Sequence, residues 1–247
     1  MATRLFAIGD THLPSTRNKD MHRFGWTDHP LPLQRAWDEK VGVDDVIIVA
    51  GDISWATRAN EVEVDLKWLN DRPGRKILLK GNHDYWWGDS TSKLSKLLAP
   101  YTTIHGFLHN SSVAISGWVI AGTRLWTTKE APPMPGGEMG DEESKTDYVE
   151  REVRRLRASI EDAEKKIKAD PTLKKVAAVH FPPVYSNEKA TAFSEVIEAW
   201  APQKCVYGHL HGEAGIAAGF VGPRNGVEYV LASCDAAKFS PVLLDEH

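Results

Sequence analysis

Apolar residues in this chain gather into short runs, and several of the runs end in the same way. Leu5-Phe6-Ala7-Ile8 empties into Gly9-Asp10-Thr11-His12, and Val46-Ile47-Ile48-Val49-Ala50 into Gly51-Asp52-Ile53-Ser54. Ile77-Leu78-Leu79 leads to Lys80-Gly81-Asn82-His83-Asp84, Val176-Ala177-Ala178-Val179 to His180-Phe181-Pro182-Pro183, and Lys204-Cys205-Val206-Tyr207 to Gly208-His209-Leu210-His211-Gly212. Unbroken β-branched runs of this length predict strands covered on both faces, the habit of parallel sheets. Glycine, asparagine and aspartate are also ordinary turn residues, so any one of these tips reads equally well as a plain strand-to-loop turn. Five of them in succession read as a site, because ligands of open α/β sheets bind at the carboxyl ends of strands.

Between the runs, helical spacing predicts helices over 33–41, 60–70, 92–98 and 194–200. Three strand-like stretches, 104–107, 112–115 and 118–121, carry turn signals between them and predict a local antiparallel meander. Further strands are expected at 229–233 and 242–244. The segment 13–32, with Pro14, Pro30 and Pro32, has no sustained period and reads as a long loop beside the site. Residues 127–141 contain Ala131-Pro132-Pro133-Met134-Pro135-Gly136-Gly137 and predict irregular structure. Residues 141–168 form a charged helix with an apolar stripe of Tyr148, Val153, Leu156, Ile160, Ala163 and Ile167, which either covers a sheet or forms a lid. The whole, 1–247, is expected to be a single domain with a cap-like helical insertion at about 127–175.

Hydrophobic residues make up 42% of the 247 and charged residues 26%, ordinary for a globular domain. No apolar run approaches the roughly 18 residues of a membrane span. Met1-Ala2-Thr3-Arg4 leads straight into the first strand, which predicts no signal peptide and a cytoplasmic location. Lys plus Arg is 30 against 34 for Asp plus Glu, a formal net charge of −4, so extended nucleic acid is not indicated. The oligomeric state is open. Cys205 and Cys234 lie in apolar strand-like surroundings without CxxC spacing and are expected to be buried free thiols.

The strand tips together hold Asp10, His12, Asp52, Asn82, His83, His180, His209 and His211. Carboxylate, amide oxygen and imidazole without thiolate point to a catalytic ion, with Mn first and Fe or Zn as alternatives. So many ligands exceed one tetrahedral centre and suit two divalent ions roughly 3.5–4 Å apart.

The order GDxH at 9–12, GD at 51–52, GNHD at 81–84, a strand ending in His180, and GHxH at 208–211 resembles the calcineurin-like metallophosphoesterase superfamily, in particular its small bacterial predicted phosphohydrolases. The match spans about four fifths of the chain. The resemblance implies a four-layer α/β/β/α sandwich. It implies that Asp10, His12 and His211 hold one ion, that Asn82, His180 and His209 hold the other, and that Asp52 bridges them. His83 would be a proton donor rather than a ligand, with Asp84 as its partner. The implied reaction is in-line attack on phosphorus by a metal-bridging hydroxide. A phosphodiesterase acting on a small nucleotide-type diester, such as a cyclic nucleotide, is the first expectation; a phosphomonoesterase or a nucleoside polyphosphate hydrolase is the alternative. A catalytically silent, metal-stabilised binding module is a third reading, against which the presence of His83 and of every ligand position speaks. Gly51-Asp52 lacks a following Asp-Arg-Gly, which argues against phosphoprotein substrates. Arg124, the only arginine near a strand tip in sequence, is a candidate for substrate phosphate or for a surface ion pair, and its isolation favours diesters. Trp55, Trp86, Trp87 and Trp126 follow strand tips, where they either fill the core or offer a face to a base. His22, His29, His105, His109 and His247 match no motif position.

Overall fold

The alternation of side chains along each strand divides the interior into three separate cores. In the computed structural model, which describes residues 2–15, 21–88, 90–132 and 142–247, one sheet has the order β11-β1-β2-β3-β4. Its members are β1 (Arg4–Ile8), β2 (Val46–Ala50), β3 (Arg75–Leu79), β4 (Ile104–Leu108) and β11 (Val242–Glu246). The other has the order β5-β6-β7-β8-β10-β9, built from β5 (Ser112–Ile115), β6 (Trp118–Ala121), β7 (Lys174–Ala178), β8 (Lys204–Tyr207), β9 (Gly222–Arg224) and β10 (Val227–Leu231). Leu5 and Ala7 of β1, Val46 and Ile48 of β2, and Ile77 and Leu79 of β3 point inward to meet Trp118 and Ile120 of β6, Val176 and Ala178 of β7, and Val206 of β8. Successive residues on a strand face opposite ways, so Phe6, Ile8, Ile47, Val49 and Leu78 face out instead. There they pack on α1 (Leu31–Lys40), α2 (Glu63–Asn70) and α3 (Thr91–Leu98) through Leu33, Trp37, Leu66, Leu69, Leu94 and Leu98.

On the far side, Val119, Ala121, Ala177, Cys205, Tyr207 and Tyr229 pack against α4 (Glu142–Ala169) and α5 (Ala192–Trp200) through Leu156, Ala163, Phe193, Ile197 and Trp200. Helix, sheet, sheet, helix is the four-layer α/β/β/α sandwich expected. Each fully buried aliphatic contributes about 1.5–3 kcal/mol, and a one-residue slip of a central strand would exchange two cores at once. Both cysteines are free and buried. No described helix is long and apolar enough to cross a membrane.

The antiparallel meander expected over 104–121 is corrected. β4 pairs in parallel with β3 and forms an edge of the first sheet, while β5 pairs antiparallel with β6 in the second. The crossover is α3, and Phe107 of β4 packs partly on the outer core of the first sheet. The turn signal at Asn110-Ser111 therefore hands the chain from one sheet to the other instead of folding it back as a hairpin. α6 (Gly212–Ala218) and β9 escaped prediction because both are short and glycine-bearing, as did a single 3-10 turn at His22–Phe24 within the expected loop.

Of the cap-like insertion expected at 127–175, residues 133–141 lie outside the described residues. The described part, α4, lies along the second sheet and is locked there by polar contacts. The Ser159 hydroxyl accepts from Gly122 N–H at 2.8 Å and donates to Ser111 O at 2.7 Å. Asp162 accepts from both the N–H and the hydroxyl of Ser112 at 2.8 Å. α5 begins with reciprocal capping, Thr191 accepting from Ser194 N–H while the Ser194 hydroxyl accepts from Thr191 N–H, which satisfies donors a helix start otherwise leaves open.

Candidate metal centre

Five parallel strands, three from the first sheet and two from the second, end on the same rim. Past β1 come Asp10 and His12, past β2 Asp52, past β3 Asn82 and His83, past β7 His180, and past β8 His209 and His211. Asp10, His12, Asp52 and His209 all adopt left-handed backbone angles, φ between 39° and 71°, unusual for residues with a Cβ and common at functional sites. The glycines of the motifs make room for the ligands. A Cβ on Gly81 would fall 2.0 Å from Asp52 Oδ1, and one on Gly208 would fall 2.2 Å from Asp10 Oδ2.

The donor atoms fall into two sets. In the first, His211 Nε2 lies 3.1 Å from Asp10 Oδ1 and 3.3 Å from His12 Nε2. In the second, Asn82 Oδ1 lies 2.8 Å from His180 Nε2 and 3.0 Å from His209 Nδ1. Asp52 stands between them, with Oδ1 at 3.5 Å from His180 Nε2 and Oδ2 at 3.8 Å from His12 Nε2. One ligand atom from each of Asp10, Asp52 and His180 comes within 4.8 Å of the others, as do those of Asp10, His12 and His211.

The tautomers follow from the outer partners. His180 Nδ1 donates to Ala50 O at 2.9 Å, so a neutral His180 turns its Nε2 lone pair toward the oxygens of Asn82 and Asp52. His211 Nδ1 contacts Asp235 Oδ1 at 3.1 Å, so its Nε2 lone pair faces Asp10. Lone pairs facing acceptors need a proton or a cation between them. Burial opposes charge on both rings. Asp52 nevertheless raises the His180 pKa to about 9, and Asp10 with Asp235 raises that of His211 to about 10. Burial and the positive His180 push His209 down to about 3, and burial pushes His12 well below its ordinary value. Burial would raise Asp52, but His180, His12 and His83 hold it far below the usual carboxylate range. In each set a proton or a cation fits between the same atoms, and ions binding there would release protons. Seven oxygen and nitrogen donors in two sets around one shared carboxylate fit two divalent ions.

Aromatic rings wall both sets. His12 stacks on Trp55 with centroids 4.7 Å apart, Trp26 meets His211 edge-on at 5.6 Å, and Phe181 covers His209 at 4.0 Å. Trp86 and Trp87 are buried in the outer core of the first sheet, and Trp126 stacks on Tyr148 at 4.9 Å. His83 is more open than its neighbours. Its N–H donates to Asp52 Oδ1 at 2.8 Å and its Nε2 lies 3.9 Å from Asp52 Oδ2.

Asp84 is placed differently from the expectation of a partner for His83. Its Oδ1 accepts from Ile53 N–H at 2.9 Å, Ser54 N–H at 3.2 Å and the Trp86 indole at 3.0 Å, and its Oδ2 accepts from Gly81 N–H at 2.8 Å. No hydrogen bond joins it to His83 among the described residues. The carboxylate pins the Asp52 loop to the Asn82 loop from beneath, fully buried. Burial, and after it the charge of Asp52, raises its pKa to about 7. Asp84→Ala would strand several buried N–H groups, at about 1–3 kcal/mol each. It is expected to lower the unfolding free energy by about 3 kcal/mol or more in urea titrations of the protein in EDTA; a loss below 1 kcal/mol would refute this pinning role.

Two residues near the centre escaped sequence reasoning. Asp235 orients His211 and also accepts from Gly212 N–H at 2.7 Å. It follows β10, so a polar residue past a strand was its available signal. His29, set aside as matching no motif, donates from Nε2 to Thr11 O at 2.6 Å and props the Asp10–His12 turn.

Arg124 is not isolated, which corrects the expectation built on the sequence. It lines a cavity of about 250 Å³ with Arg151 and Arg155 of α4 and Lys80 of the β3 tip. Its Nη2 lies 3.8 Å from the buried Glu152, its guanidinium lies over Trp126, and its Nε has no hydrogen-bond partner among the described residues. Burial lowers its pKa, Glu152 opposes, and Arg151 and Arg155 lower it further.

A model of the calcineurin-like phosphoesterase family matches residues 3–213. The gene 66 protein of Mycobacterium phage D29 is 40% identical over 82 residues, which are 33% of this chain and 41% of that protein. The gene 66 protein of Mycobacterium phage L5 is 46% identical over 57 residues, 23% of this chain and 27% of that protein. The chain therefore matches less than half the length of either curated relative. The crystal structure of AQ665 from Aquifex aeolicus, a protein of unknown function, covers 98% of this chain and 95% of its own at 15% identity and a TM-score of 0.45, too distant a likeness to support an argument.

Proposed function

The chain belongs to the calcineurin-like phosphoesterase family, and from that premise we propose that it hydrolyses small phosphodiesters of nucleotide type with two divalent ions, Mn foremost. The observation that carries this reading is the division of seven donor residues into two sets that share Asp52. Bound ions supply Lewis-acid polarisation of the phosphoryl oxygens and a water made nucleophilic near neutral pH.

The protein's own groups do the rest. Asp10, His12 and His211 would hold one ion and Asn82, His180 and His209 the other, while Asp235 and the Ala50 carbonyl keep two of the imidazoles turned inward. His83 sits at the open edge of the cluster, with Nε2 on the Asp52 side. From there its Nε2–H gives a proton to the departing ester oxygen. Trp55, Trp26 and Phe181 keep bulk water off the ligands and strengthen the electrostatics at the centre.

Diester preference is supported by where the cations lie. The arginines converge on Glu152 in the side cavity, whereas aromatic rings surround the ligands. A diester monoanion needs less cationic help at phosphorus than a monoester dianion and gains from apolar contact with its second substituent. With Mn at one pH, kcat/KM for an aryl phosphodiester is expected to exceed that for the matching aryl monoester at least tenfold. A preference for the monoester that shrinks in Arg124→Ala would replace this reading with a phosphomonoesterase one, which Arg124 on the same rim would favour.

A further inference from the structure

Among the described residues, the cavity beside the metal centre gathers three guanidiniums around one carboxylate. Arg155 donates from Nη1 to Glu152 Oε1 at 2.7 Å, Arg151 Nε lies 3.5 Å from the same oxygen, and Arg124 Nη2 lies 3.8 Å from it. The Thr123 hydroxyl, 3.3 Å from Glu152 Oε2, takes up the other side of the carboxylate. Three guanidiniums therefore share one carboxylate that is itself fully buried. Lys80, which donates to the Trp87 carbonyl, also lines the cavity. Among the described residues three arginines against one glutamate leave an excess of two positive charges, held in a concave space of about 250 Å³. A concave wall of one sign focuses the field and concentrates ions of the other sign. Among the described residues the buried Nε atoms of Arg124 and Arg151 have no hydrogen-bond partner, and arginine's planar fork is matched to phosphate oxygens.

The cavity lies next to the metal centre without sharing a residue with it. Lys80 is two residues before Asn82, and the Arg124 carbonyl accepts from Phe181 N–H at 2.9 Å, directly after His180. Arg124 is close enough to Asp52 for the two charges to interact. A substrate seated at the metals can thus extend a second group into the cavity.

We propose that the cavity lined by Lys80, Thr123, Arg124, Arg151 and Arg155 binds a second phosphate of the substrate, so that the preferred ester carries a phosphate besides the one being hydrolysed. The inference rests on the hydrolase reading above and narrows its substrate class. Because Glu152 keeps its shortest ion pair, to Arg155, when Arg151 is removed, Arg151→Ala is the milder probe. Lys80→Ala is a second probe that leaves the arginine cluster whole, and thermal melts establish that both variants fold.

Two measurements test it. In the first, inorganic phosphate is titrated calorimetrically into the protein in EDTA. One site is expected, weakened at least tenfold in Arg151→Ala; no site, or one that neither Arg151→Ala nor Lys80→Ala weakens, overturns the proposal. In the second, thymidine 5′-(4-nitrophenyl phosphate) is compared with its 3′-phosphorylated form in the Mn-loaded enzyme, both read by nitrophenol release. The 3′-phosphate is expected to raise kcat/KM at least tenfold, mainly through KM, and in Arg151→Ala the ratio between the two esters is expected to fall toward one. Equal hydrolysis of both esters by the unmodified enzyme overturns the subsite alone. Hydrolysis of neither sinks the hydrolase reading and the substrate role of the cavity with it.

Discussion

Asp52→Asn is expected to reduce turnover at least 10³-fold and to leave the protein unable to retain either ion. The side chain it replaces is the one carboxylate placed between the two donor sets, 3.5 Å from His180 on one side and 3.8 Å from His12 on the other. Asparagine keeps the shape and can still accept the His83 N–H, now at 2.8 Å, so the change removes charge and spares the loop. A Lewis-acid ion stabilises a phosphoryl transition state by several kcal/mol, and each 1.36 kcal/mol is tenfold in rate. Metal analysis after reconstitution with Mn should find close to two ions per chain in the unmodified protein and close to none in Asp52→Asn. Asp10→Asn, whose carboxylate belongs to the first set, should keep about one. A stoichiometry that stays at one ion in a fully active, saturated enzyme would remove Asp52 from its shared position.

His83→Ala is expected to keep both ions and the fold while turnover falls by roughly 10²–10⁴, the usual worth of a positioned proton donor. The backbone of residue 83 contributes the N–H that holds Asp52, and that contact survives truncation of the side chain. The imidazole makes no contact shorter than 3.9 Å with the Asp52 carboxylate, so its loss removes chemistry at the open edge and not a ligand. An aryl diester with a nitrophenol leaving group, which departs without protonation, should suffer less from the change than an alkyl ester does. If His83→Ala loses an ion, and regains activity when that ion is restored in excess, the residue is a ligand and the assignment falls.

The strands and the gathering of polar donor residues at their tips were legible because the same pattern is written five times. A buried strand ends and a polar donor follows, with a glycine before the donor at four of the five tips; a Cβ on Gly81 or Gly208 would fall within 2.2 Å of Asp52 or Asp10. The helices were legible from their apolar stripes, with boundaries off by one to three residues; the helix expected over 60–70 begins at Glu63. What the sequence hid is what only packing creates. Arg151 and Arg155 lie on the polar side of an amphipathic helix, where charge is the ordinary condition, and nothing local marks them as neighbours of Arg124. They become neighbours because Ser159 and Asp162 fasten that helix to Gly122 and Ser112. The argument for diesters from a lone strand-tip arginine failed for this reason. The change of sheet between β4 and β5 was hidden too, since a turn reads the same whether the chain pairs with itself or leaves for another layer. Asp84 was legible as part of a motif but not as a pin, because two of its partners are backbone N–H groups of the Asp52 loop, far away in sequence.

The antiparallel pairing of β1 with β11 bears on how the protein is made. The first sheet takes four strands from the early part of the chain and its remaining edge from residues 242–246. Ribosomes add about 5–20 residues per second, so roughly 10–50 s pass between the emergence of β1 and that of its neighbour. Throughout that interval the nascent chain presents an uncovered, strongly apolar strand, the kind of edge that recruits other chains. β11 also arrives as a fastener between layers, since Asp245 accepts from the Trp118 indole at 2.8 Å and pairs with Lys174 at 2.7 Å, both in the second sheet. This late strand therefore ties the two sheets to each other, and a chain cut before residue 242 would leave the β1 edge open and Trp118 and Lys174 without Asp245, a product that aggregates instead of a slightly weakened enzyme.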